Sequence, residues 1–354
     1  MVIWKKLKQC TITLTRNCNL RCSFCYAKET NYKTKNVEII KVQKLIDFCD
    51  EQKVKYIVFT GGEPLLYPHL IEILKYIKTK KNIMIPTIAT NGIKLQDESF
   101  CNELITNGIE YFDISLKGKN EAEWQLITGY NLLLQQQKAI QNLSKLKINF
   151  TCSVVLCQSN IDSFIETIEM AKNNGAKSFS FTFEIDNNYD KDKGISYLKK
   201  KNPFELINKF ISKIDKLYQI TDDWWIEYSY PLCMYTKEQL KILKNRLAAP
   251  CQIHMKNGLT IDTEMNVIPC NMCLDTPIGQ FEKNFVSYKE FNLFNKNLTV
   301  KKIMKTIRKF PSNRCKICKY KKDCYGGCPI LWRNYDFEDL IKFKKFIDED
   351  KKYK

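Results

Sequence analysis

The chain has 354 residues, with 57 Lys or Arg, 39 Asp or Glu, 16 Cys and only 2 His, and its formal net charge is +18. A chain of this length buries a full core without disulfides, and 44% hydrophobic residues exclude a disordered protein. The sequence contains neither an apolar run long enough to span a membrane nor the apolar core of a signal peptide. We therefore predict a cytoplasmic protein with no membrane contact. In a reducing compartment its thiols are expected to be metal ligands or redox groups, and soft thiolates favour iron–sulfur clusters or zinc.

The basic residues are unevenly divided, because only six of the 57 are Arg and the rest are Lys. Proteins that read nucleic acids rely on Arg for bidentate contacts. Nucleic acid is therefore not expected among the partners. Two interpretations of the Lys excess stay open: a drift in genome composition, and a basic surface that attracts an acidic partner.

The first half of the chain alternates short β-type runs with amphipathic helical stretches, which predicts a parallel sheet with crossover helices. The predicted strands are Thr11–Thr15, Tyr56–Thr60, Ile85–Ala89, Tyr111–Leu116, Ile148–Leu156 and Phe179–Phe183. The predicted helices are Val37–Gln52, Leu70–Lys80, Ser99–Asn107, Leu132–Leu146 and Ile161–Asn174. Six such units predict an α/β fold of the partial (β/α)6 TIM-type barrel class, with an open doubly wound sheet as the alternative.

The alternation of strands and helices ends at Glu184. The polar segment Asp186–Asn202 predicts a linker or long loop. It is followed by a predicted helix near Phe204–Tyr218 and by an aromatic patch at Trp224, Trp225, Tyr228 and Tyr230. Cysteines are dense from Cys251 onward, which predicts a segment that folds around metal. We therefore predict a barrel domain over residues 1–190, a linker or helical bridge over 191–250, a small cysteine-rich α+β cluster-binding domain over 251–335 and a C-terminal helix over 336–354.

Three cysteines, Cys18, Cys22 and Cys25, follow the first predicted strand with Cys-x3-Cys-x2-Cys spacing. The loop after a strand of a β/α barrel lies on the face where active sites are built. Three thiolates can hold three irons of a cubane and leave the fourth iron open, and an open position is what a catalytic metal site needs. A zinc knuckle that lacks one ligand is the alternative.

Polar or glycine-rich segments also end the next three predicted strands. Strand two ends in Thr60-Gly61-Gly62-Glu63-Pro64, where paired glycines allow close approach to a ligand and the carboxylate can receive an ammonium group. Strand three ends in Thr90-Asn91-Gly92, and strand four in Asp113-Ile114-Ser115-Leu116-Lys117-Gly118. We expect these groups to converge on one ligand at the C-terminal ends of the strands.

With these motifs, the region from Cys10 to Glu184 resembles the radical S-adenosylmethionine (SAM) superfamily. The resemblance implies a 4Fe-4S cluster on Cys18, Cys22 and Cys25, with SAM chelating the fourth iron through its amino and carboxylate groups. It also implies that Tyr26 flanks the adenine, and that the rest of SAM is contacted by Gly61, Gly62, Glu63, Pro64, Thr90, Asn91, Ser115 and Lys117. Many relatives have Asp where this chain has Lys117. One electron from the reduced cluster would cleave SAM to a 5′-deoxyadenosyl radical, which abstracts hydrogen from an unactivated carbon.

A second cysteine pattern lies in the last third of the chain. Its spacing is Cys315-x2-Cys318-x5-Cys324-x3-Cys328, and Cys251, Cys270 and Cys273 lie upstream. Two treble-clef-like zinc sites are one interpretation. The pattern resembles a SPASM domain, an extension that carries auxiliary iron–sulfur clusters. Six of the seven cysteines of that pattern are present, and no cysteine follows Cys328.

This second resemblance implies one or two auxiliary clusters. Auxiliary cluster I would use Cys251, Cys270 and Cys328, with Cys233 or Cys273 as the fourth ligand. Auxiliary cluster II would use Cys315, Cys318 and Cys324, and the family's last cysteine is missing. The alternatives there are an oxygen ligand from Asp336, Glu338 or Asp339, an iron open to substrate, and an incomplete or absent cluster. The five other cysteines are expected to be buried as small hydrophobic residues: Cys10, Cys49, Cys101, Cys152 and Cys157.

The two resemblances together favour an oxidoreductase-type radical SAM enzyme that abstracts hydrogen from a peptide or protein side chain, with auxiliary clusters assisting oxidation or crosslinking in a ribosomal peptide. Asn271 stands where the sulfatase-maturing branch has its general-base Asp, so that branch is less favoured and the general base is not identified. The alternatives are the same chemistry on a small molecule in cofactor, tetrapyrrole or sugar biosynthesis, and a non-catalytic zinc or iron–sulfur protein that binds nucleic acid.

The partners implied are the peptide or protein substrate and an electron donor such as flavodoxin or ferredoxin. Since strand one begins near residue 10, no appended leader-binding domain is expected. A separate leader-recognition protein, or direct binding of the leader to the basic surface, would take its place.

Overall fold

The computed structural model describes residues 2–27, 33–82, 84–185, 198–199, 201–227, 230–243, 245–248 and 251–350, with side chains described to residue 345. Its strands are β1 (Gln9–Thr15), β2 (Tyr56–Gly61), β3 (Ile85–Thr90), β4 (Tyr111–Leu116), β5 (Asn149–Leu156), β6 (Ser178–Phe183), β7 (Trp224–Ile226), β8 (Gly258–Ile261), β9 (Asn266–Ile268) and β10 (Gly279–Gln280).

The helices of the first half connect these strands in turn. They are α1 (Ile39–Glu51), α2 (Leu70–Lys78), α3 (Glu98–Thr106), α4 (Glu121–Thr128), α5 (Leu133–Lys145) and α6 (Phe164–Asn173). The helices of the second half are α7 (Pro203–Ile211), α8 (Ile214–Ile220), α9 (Lys237–Ile242), α10 (Gln252–Met255), α11 (Tyr288–Phe294), α12 (Leu298–Ile307), α13 (Lys321–Cys324), α14 (Leu331–Asn334) and α15 (Phe337–Asp350). None of the helices in the described part of the chain is long and apolar enough to cross a membrane.

All the strands form one sheet in the order β10-β9-β8-β1-β2-β3-β4-β5-β6-β7. Neighbouring strands from β1 to β7 are parallel, and a helix follows each of β1 to β6. The predicted α/β fold with a partial (β/α)6 barrel is therefore confirmed. All six predicted strands and all five helices of the first half are present, with ends that differ by a few residues at most.

The sheet continues beyond the six predicted strands at both edges. At one edge β7 pairs with β6, so the predicted aromatic patch contributes a strand. At the other edge β8 pairs in parallel with β1, with Gln9 opposite Gly258 and Ile12 opposite Ile261. The C-terminal segment thus adds its first strand directly to the barrel. The domain boundaries at residues 190, 250 and 335 stay a prediction.

Two local predictions need correction. The short helix α4 was not predicted; it fits between an N-cap at Asn120, whose side chain accepts from Glu123 N, and a left-handed Gly129 with φ of 78°. The helix predicted near Phe204–Tyr218 is interrupted between α7 and α8. Tyr228 and most of the predicted linker Asp186–Asn202 lie outside the described residues.

The core lies between the outer face of the sheet and the helices. On β1 the side chains alternate, as they must in a strand. Cys10, Ile12 and Leu14 pack into the apolar cluster that includes the inner face of α1, whereas Thr11 and Thr13 lie on the opposite face of the strand, toward the barrel interior. All five cysteines expected to be core residues are buried. The fold therefore surrounds a polar interior with an apolar shell.

Candidate active site at the mouth of the barrel

The loop that carries Cys18, Cys22 and Cys25 leaves the C-terminal end of β1. Cys18 and Cys22 are half-buried, and Cys25 is exposed. The unpredicted helix α4 supports this loop, because Arg21 N donates to Thr128 O (2.9 Å) and Ser23 N donates to Ile127 O (2.8 Å). Burial raises the pKa of the Cys18 thiol, and the charges of Glu63, Cys22 and Cys25 add to the shift. The three thiols and Glu63 therefore belong to one electrostatic site.

The glycine pair at the end of β2 lets two backbone segments meet. Gly62 N donates to Thr15 O (2.7 Å), and Glu63 N donates to Asn17 O (2.8 Å). A Cβ on Gly61 would collide with the backbone oxygen of Thr15, and a Cβ on Gly62 with the backbone oxygen of Asn17. The glycines thus fix the base of the cysteine loop against β2.

The Glu63 carboxylate lies at the centre of the strand ends, with only 1% of the residue exposed. Its Oε1 accepts from the Thr90 hydroxyl (2.6 Å) and from Leu65 N (3.1 Å), and its Oε2 accepts from Asn91 N (2.8 Å). Burial raises the pKa of Glu63, opposed by these hydrogen bonds and by the charge of Lys117. Since a carboxylate oxygen can accept more than one hydrogen bond, Oε2 retains capacity for an ammonium ligand.

Asn91 links the strand ends to the cysteine loop, because its Nδ2 donates to Asn19 Oδ1 (2.8 Å). A further residue, Gln136 on α5, was not predicted. Its fully buried amide donates to Asn91 O (2.8 Å) and to Ser115 O (3.0 Å), and so joins the ends of β3 and β4. In the sequence, the only indication of a special role for Gln136 was that a polar residue occupies a position within an amphipathic helix.

Lys117 is buried just beyond β4, with 5% of the residue exposed. Its Nζ donates to the Ser115 hydroxyl (2.7 Å) and lies 5.2 Å from the centre of the Phe24 ring. Phe24, which was not among the predicted residues, therefore packs a ring from the cysteine loop over the ammonium group. Tyr26, the other aromatic residue of the loop, contacts the end of β2 instead of Lys117. Its hydroxyl is hydrogen-bonded to Thr60, and burial raises its pKa.

The interior of the barrel below these groups is lined with hydroxyl groups. Tyr111 and Thr151 are hydrogen-bonded through their hydroxyls, and Thr151 Oγ1 donates to Ser178 Oγ (3.3 Å). Asp113 is the acidic residue of β4 in this lining, and Ser153 hydrogen-bonds it. Burial, reinforced by the negative charge of Glu227, raises the pKa of Asp113 to about 6. The interior therefore places hydroxyl groups near a carboxyl group whose pKa is raised to about 6.

The C-terminal cysteines fall into two groups. In the first group, Cys270 Sγ lies 3.7 Å from Cys273 Sγ. Burial and the charges of Cys270 and Cys251 raise the pKa of Cys328 to about 12. The first group is thus Cys251, Cys270, Cys273 and Cys328.

The second group contains Cys315, Cys318 and Cys324. Burial raises the pKa of Cys315, and the charges of Cys324 and Cys318 act on the same thiol. The structure therefore brings together the cysteines that the SPASM resemblance assigned to each auxiliary cluster.

Tyr26 lies within electrostatic range of both cysteine regions. Burial is the main cause of its raised pKa, and the charges of Cys25 and of Cys270 add to it. The first C-terminal group is therefore on the same side of the barrel as the N-terminal cysteine loop.

The donor sets fit iron–sulfur clusters, since all the gathered ligands are soft thiols. In the part of the chain that the structure describes, no three His, Cys, Asp or Glu side chains converge on a point that one metal ion could occupy. A cubane does not require such convergence, because each thiolate binds a different iron atom.

A cationic cleft of about 1100 Å³ lies beside the second cysteine group. The name cationic cleft is used for the space between α12, residues 309–313, α13 and Lys256, which follows α10. Eight Lys and Arg side chains line the cleft, among them Lys301, Lys305 and Lys309, and no Asp or Glu does. These three lysines form no ion pair with the described residues. The lining of the cleft is therefore strongly positive.

Comparison with known proteins identifies the barrel. Residues 12–171 match the model of the Radical SAM superfamily. The matched segment, a little under half of the chain, resembles the domain of that superfamily. It is an enzyme domain, as the sequence predicts, and the cysteine loop and the strand ends described above all fall within it.

Curated relatives of the domain are named GTP 3′,8-cyclase. One from Clostridium perfringens is 31% identical over 170 residues, which cover 46% of this chain and 51% of the relative. A probable GTP 3′,8-cyclase from Methanococcus aeolicus is 25% identical over 300 residues, which cover 79% of this chain and 97% of the relative. The match thus spans about half the length of the Clostridium relative.

Solved structures share the fold over almost the whole chain. Streptococcus suis SuiB bound to S-adenosylmethionine has a TM-score of 0.67 at 17% identity, covering 92% of this chain and 73% of that one. Native anSMEcpe with bound AdoMet has a TM-score of 0.69 at 17% identity, covering 96% of this chain and 99% of that one. The similarity therefore includes the cysteine-rich segment as well as the barrel.

Proposed function

We propose that this protein is a radical SAM enzyme that abstracts hydrogen from a peptide or protein side chain, with auxiliary clusters assisting oxidation or crosslinking. The observation that carries the proposal is the pairing of a segment that matches the Radical SAM model with two C-terminal cysteine groups, one of which lies within electrostatic range of Tyr26. SuiB, which shares the fold, has a structure with a bound precursor peptide. When bound, the clusters and SAM supply a 5′-deoxyadenosyl radical and a path for the second electron of an oxidation.

The residues of the site have separate tasks in this proposal. Cys18, Cys22 and Cys25 hold the first cluster. Glu63 Oε2 and the adjacent backbone, including Pro64, receive the SAM ammonium group, while Thr90 and Asn91 hold the carboxylate of Glu63 in place. The Ser115–Lys117 pair offers a cation and a hydroxyl to an anionic or polar part of SAM. The cysteines of the C-terminal groups hold the auxiliary clusters.

Tyr26 and Phe24 are assigned to the aromatic boundary of the SAM site. Asp113 and the hydroxyl groups of the barrel interior face the substrate. They lie deeper in the barrel than the strand ends that would hold SAM. The barrel walls thus keep water from the radical. An intracellular electron donor such as flavodoxin or ferredoxin would reduce the first cluster.

The test is anaerobic SAM cleavage by reduced, iron-reconstituted protein. We expect 5′-deoxyadenosine from the native chain and none from the Cys18→Ala/Cys22→Ala/Cys25→Ala variant. A Cys152→Ala variant, changed at a buried core thiol, is the control and should retain cleavage. Absence of 5′-deoxyadenosine from native protein that contains iron and sulfide would contradict the proposal.

A second candidate substrate is a small molecule, which the GTP 3′,8-cyclase relatives favour. The two candidates differ in product. The first candidate is tested with a short peptide encoded by a gene next to that of the enzyme. We expect mass spectrometry to show that the enzyme has removed hydrogen atoms from this peptide. Consumption of GTP to a cyclised product, with no change in any such peptide, would instead establish the second candidate.

The cationic cleft supports a peptide substrate with an acidic leader segment. A row of lysines without acidic partners attracts an extended anion and gives salt-sensitive binding. We expect a fluorescent acidic peptide to bind about tenfold more weakly to a Lys305→Glu/Lys309→Glu variant, a change of about 1.4 kcal/mol. Lys237→Glu/Lys241→Glu on α9 carries the same charge change on exposed lysines outside the cleft, and it should bind like the native chain. Equal weakening in both variants would show that only net charge matters.

A further inference from the structure

The short turn Leu232–Met234 packs directly against the second cysteine group. Leu232 N donates to Cys324 Sγ at 3.3 Å. A Cβ on Gly327 would lie 2.8 Å from the backbone nitrogen of Pro231, so the turn and the cysteine segment touch backbone to backbone. Gly327 has φ of 78°, which a glycine adopts without strain. This contact brings a residue outside the cysteine-rich segment to the group.

That residue is Cys233. Its half-buried thiol is subject to the charges of Cys324 and Cys315, and no thiol of the first cysteine group acts on it. Lys344 on α15 donates to Cys233 O (2.7 Å) and to Tyr235 O (3.3 Å), and so holds the turn in position. The second group therefore contains four thiols, as the first does.

The acidic residues that the sequence offered as substitutes are engaged elsewhere. Asp336 Oδ1 accepts from Glu338 N (2.8 Å) and from Asp339 N (3.2 Å) at the start of α15. Glu338 pairs with Arg314 (3.0 Å) and accepts from Ser312, and Asp339 lies 3.8 Å from Lys342. Iron binding by Glu338 or Asp339 would compete with an ion pair, and iron binding by Asp336 would compete with the cap of α15.

We propose that Cys233 is the fourth ligand of the cluster held by Cys315, Cys318 and Cys324, and that Cys273 is the fourth ligand of the other auxiliary cluster. This inference rests on the proposed function, because it assumes that the C-terminal cysteines bind iron–sulfur clusters. On binding, the Cys233 thiol loses its proton to solvent and forms an Fe–S bond without a change in oxidation state. Each auxiliary cluster is then ligated entirely by the protein. The second cluster consequently transfers electrons and does not bind substrate.

The test counts iron in protein that lacks the SAM cluster. In a Cys18→Ala/Cys22→Ala/Cys25→Ala background, two auxiliary 4Fe-4S clusters give about eight iron and eight sulfide per chain. Adding Cys233→Ala should remove about half of both, or leave a three-iron cluster with a new signal by electron paramagnetic resonance. Adding Cys157→Ala, a buried thiol in the barrel, should leave iron and sulfide unchanged.

A second variant distinguishes loss of an iron ligand from a folding defect. Cys233→Ser keeps the volume of the side chain and offers a weaker oxygen ligand, and we expect a shifted paramagnetic signal with most of the iron retained. Full iron and an unchanged signal in Cys233→Ala would overturn the inference, and iron loss in Glu338→Gln would then assign the ligand to that carboxylate. Background protein with neither iron nor sulfide would instead contradict the cluster assignment in the proposed function.

Discussion

The Thr90 hydroxyl donates a hydrogen bond of 2.6 Å to Glu63 Oε1, so the carboxylate at the end of β2 is held by the residue that ends β3. The sequence predicted that both residues would contact one ligand. The geometry shows that one of them first positions the other. A carboxylate held by three protein donors has a fixed direction, which a bound ammonium group can use without ordering the side chain.

We expect Thr90→Val to weaken SAM binding about tenfold, or about 1.4 kcal/mol, because the Glu63 carboxylate loses its strongest neutral donor. Thr90→Ser keeps the hydroxyl and should bind SAM like the native chain. Equilibrium dialysis under anaerobic conditions measures both. Equal affinity for all three proteins would mean that Thr90 has no positioning role.

We expect Gly62→Ala to displace the cysteine loop, because the new methyl group overlaps the backbone oxygens of Arg16 and Asn17. SAM cleavage should fall about tenfold or more, as expected when reacting groups are misplaced by an ångström. The control is Gly108→Ala, where φ is 104° and the nearest neighbour is the Lys78 side chain. That variant should lose about 1–2 kcal/mol of stability from backbone strain and retain cleavage. Similar activity losses in both variants would point to instability alone.

We expect Gln136→Leu to lower the free energy of unfolding by about 2–4 kcal/mol, because two buried carbonyl groups lose their donor. The affected carbonyls belong to Asn91 and Ser115, so SAM affinity should fall as well. Gln137→Leu, one position along α5, removes a half-buried amide and should change neither quantity. Chemical denaturation and SAM binding, measured on the same preparations, separate the two effects.

The carboxyl group of Asp113 predicts a pH dependence of stability. Its pKa is about 6 in the folded protein, against about 4 in an unfolded chain. Below pH 4 both states are protonated. Between pH 4 and 6 unfolding releases a proton, so stability falls as pH rises, by a total of about 1–3 kcal/mol.

Asp113→Asn carries no titrating group and should lack this fall. The difference in Tm between the two proteins, followed from pH 5 to 8, measures the effect. The native chain should lose stability relative to the variant up to about pH 7. A constant difference across that range would contradict a raised pKa for Asp113.

The alternation of β-type and helical segments was sufficient to predict β1–β6 and the helices α1, α2, α3, α5 and α6, since each element has its own hydrophobic period. The short helix α4, between β4 and α5, was missed. It also placed the cysteine loop and the Glu63 segment at strand ends. The sequence could not predict that Gln136 joins β3 to β4, because that contact depends on how α5 packs. Similarly, the resemblance to a SPASM domain grouped Cys315, Cys318 and Cys324, whereas Cys233 reaches them through the contacts of its turn with Gly327 and Cys324.

The pairing of β1 with β8 has a consequence for how the chain is made. A ribosome adds about 5–20 residues per second, so β8 emerges tens of seconds after β1. Until then, one edge of β1 has no neighbour, and such an edge invites pairing with other chains. Because the cysteine loop starts where β1 ends, its final geometry also waits for β8. Insertion of the first cluster is therefore expected only after residue 261 of 354 has been made, and chaperones or iron–sulfur carriers would act on a chain of at least that length.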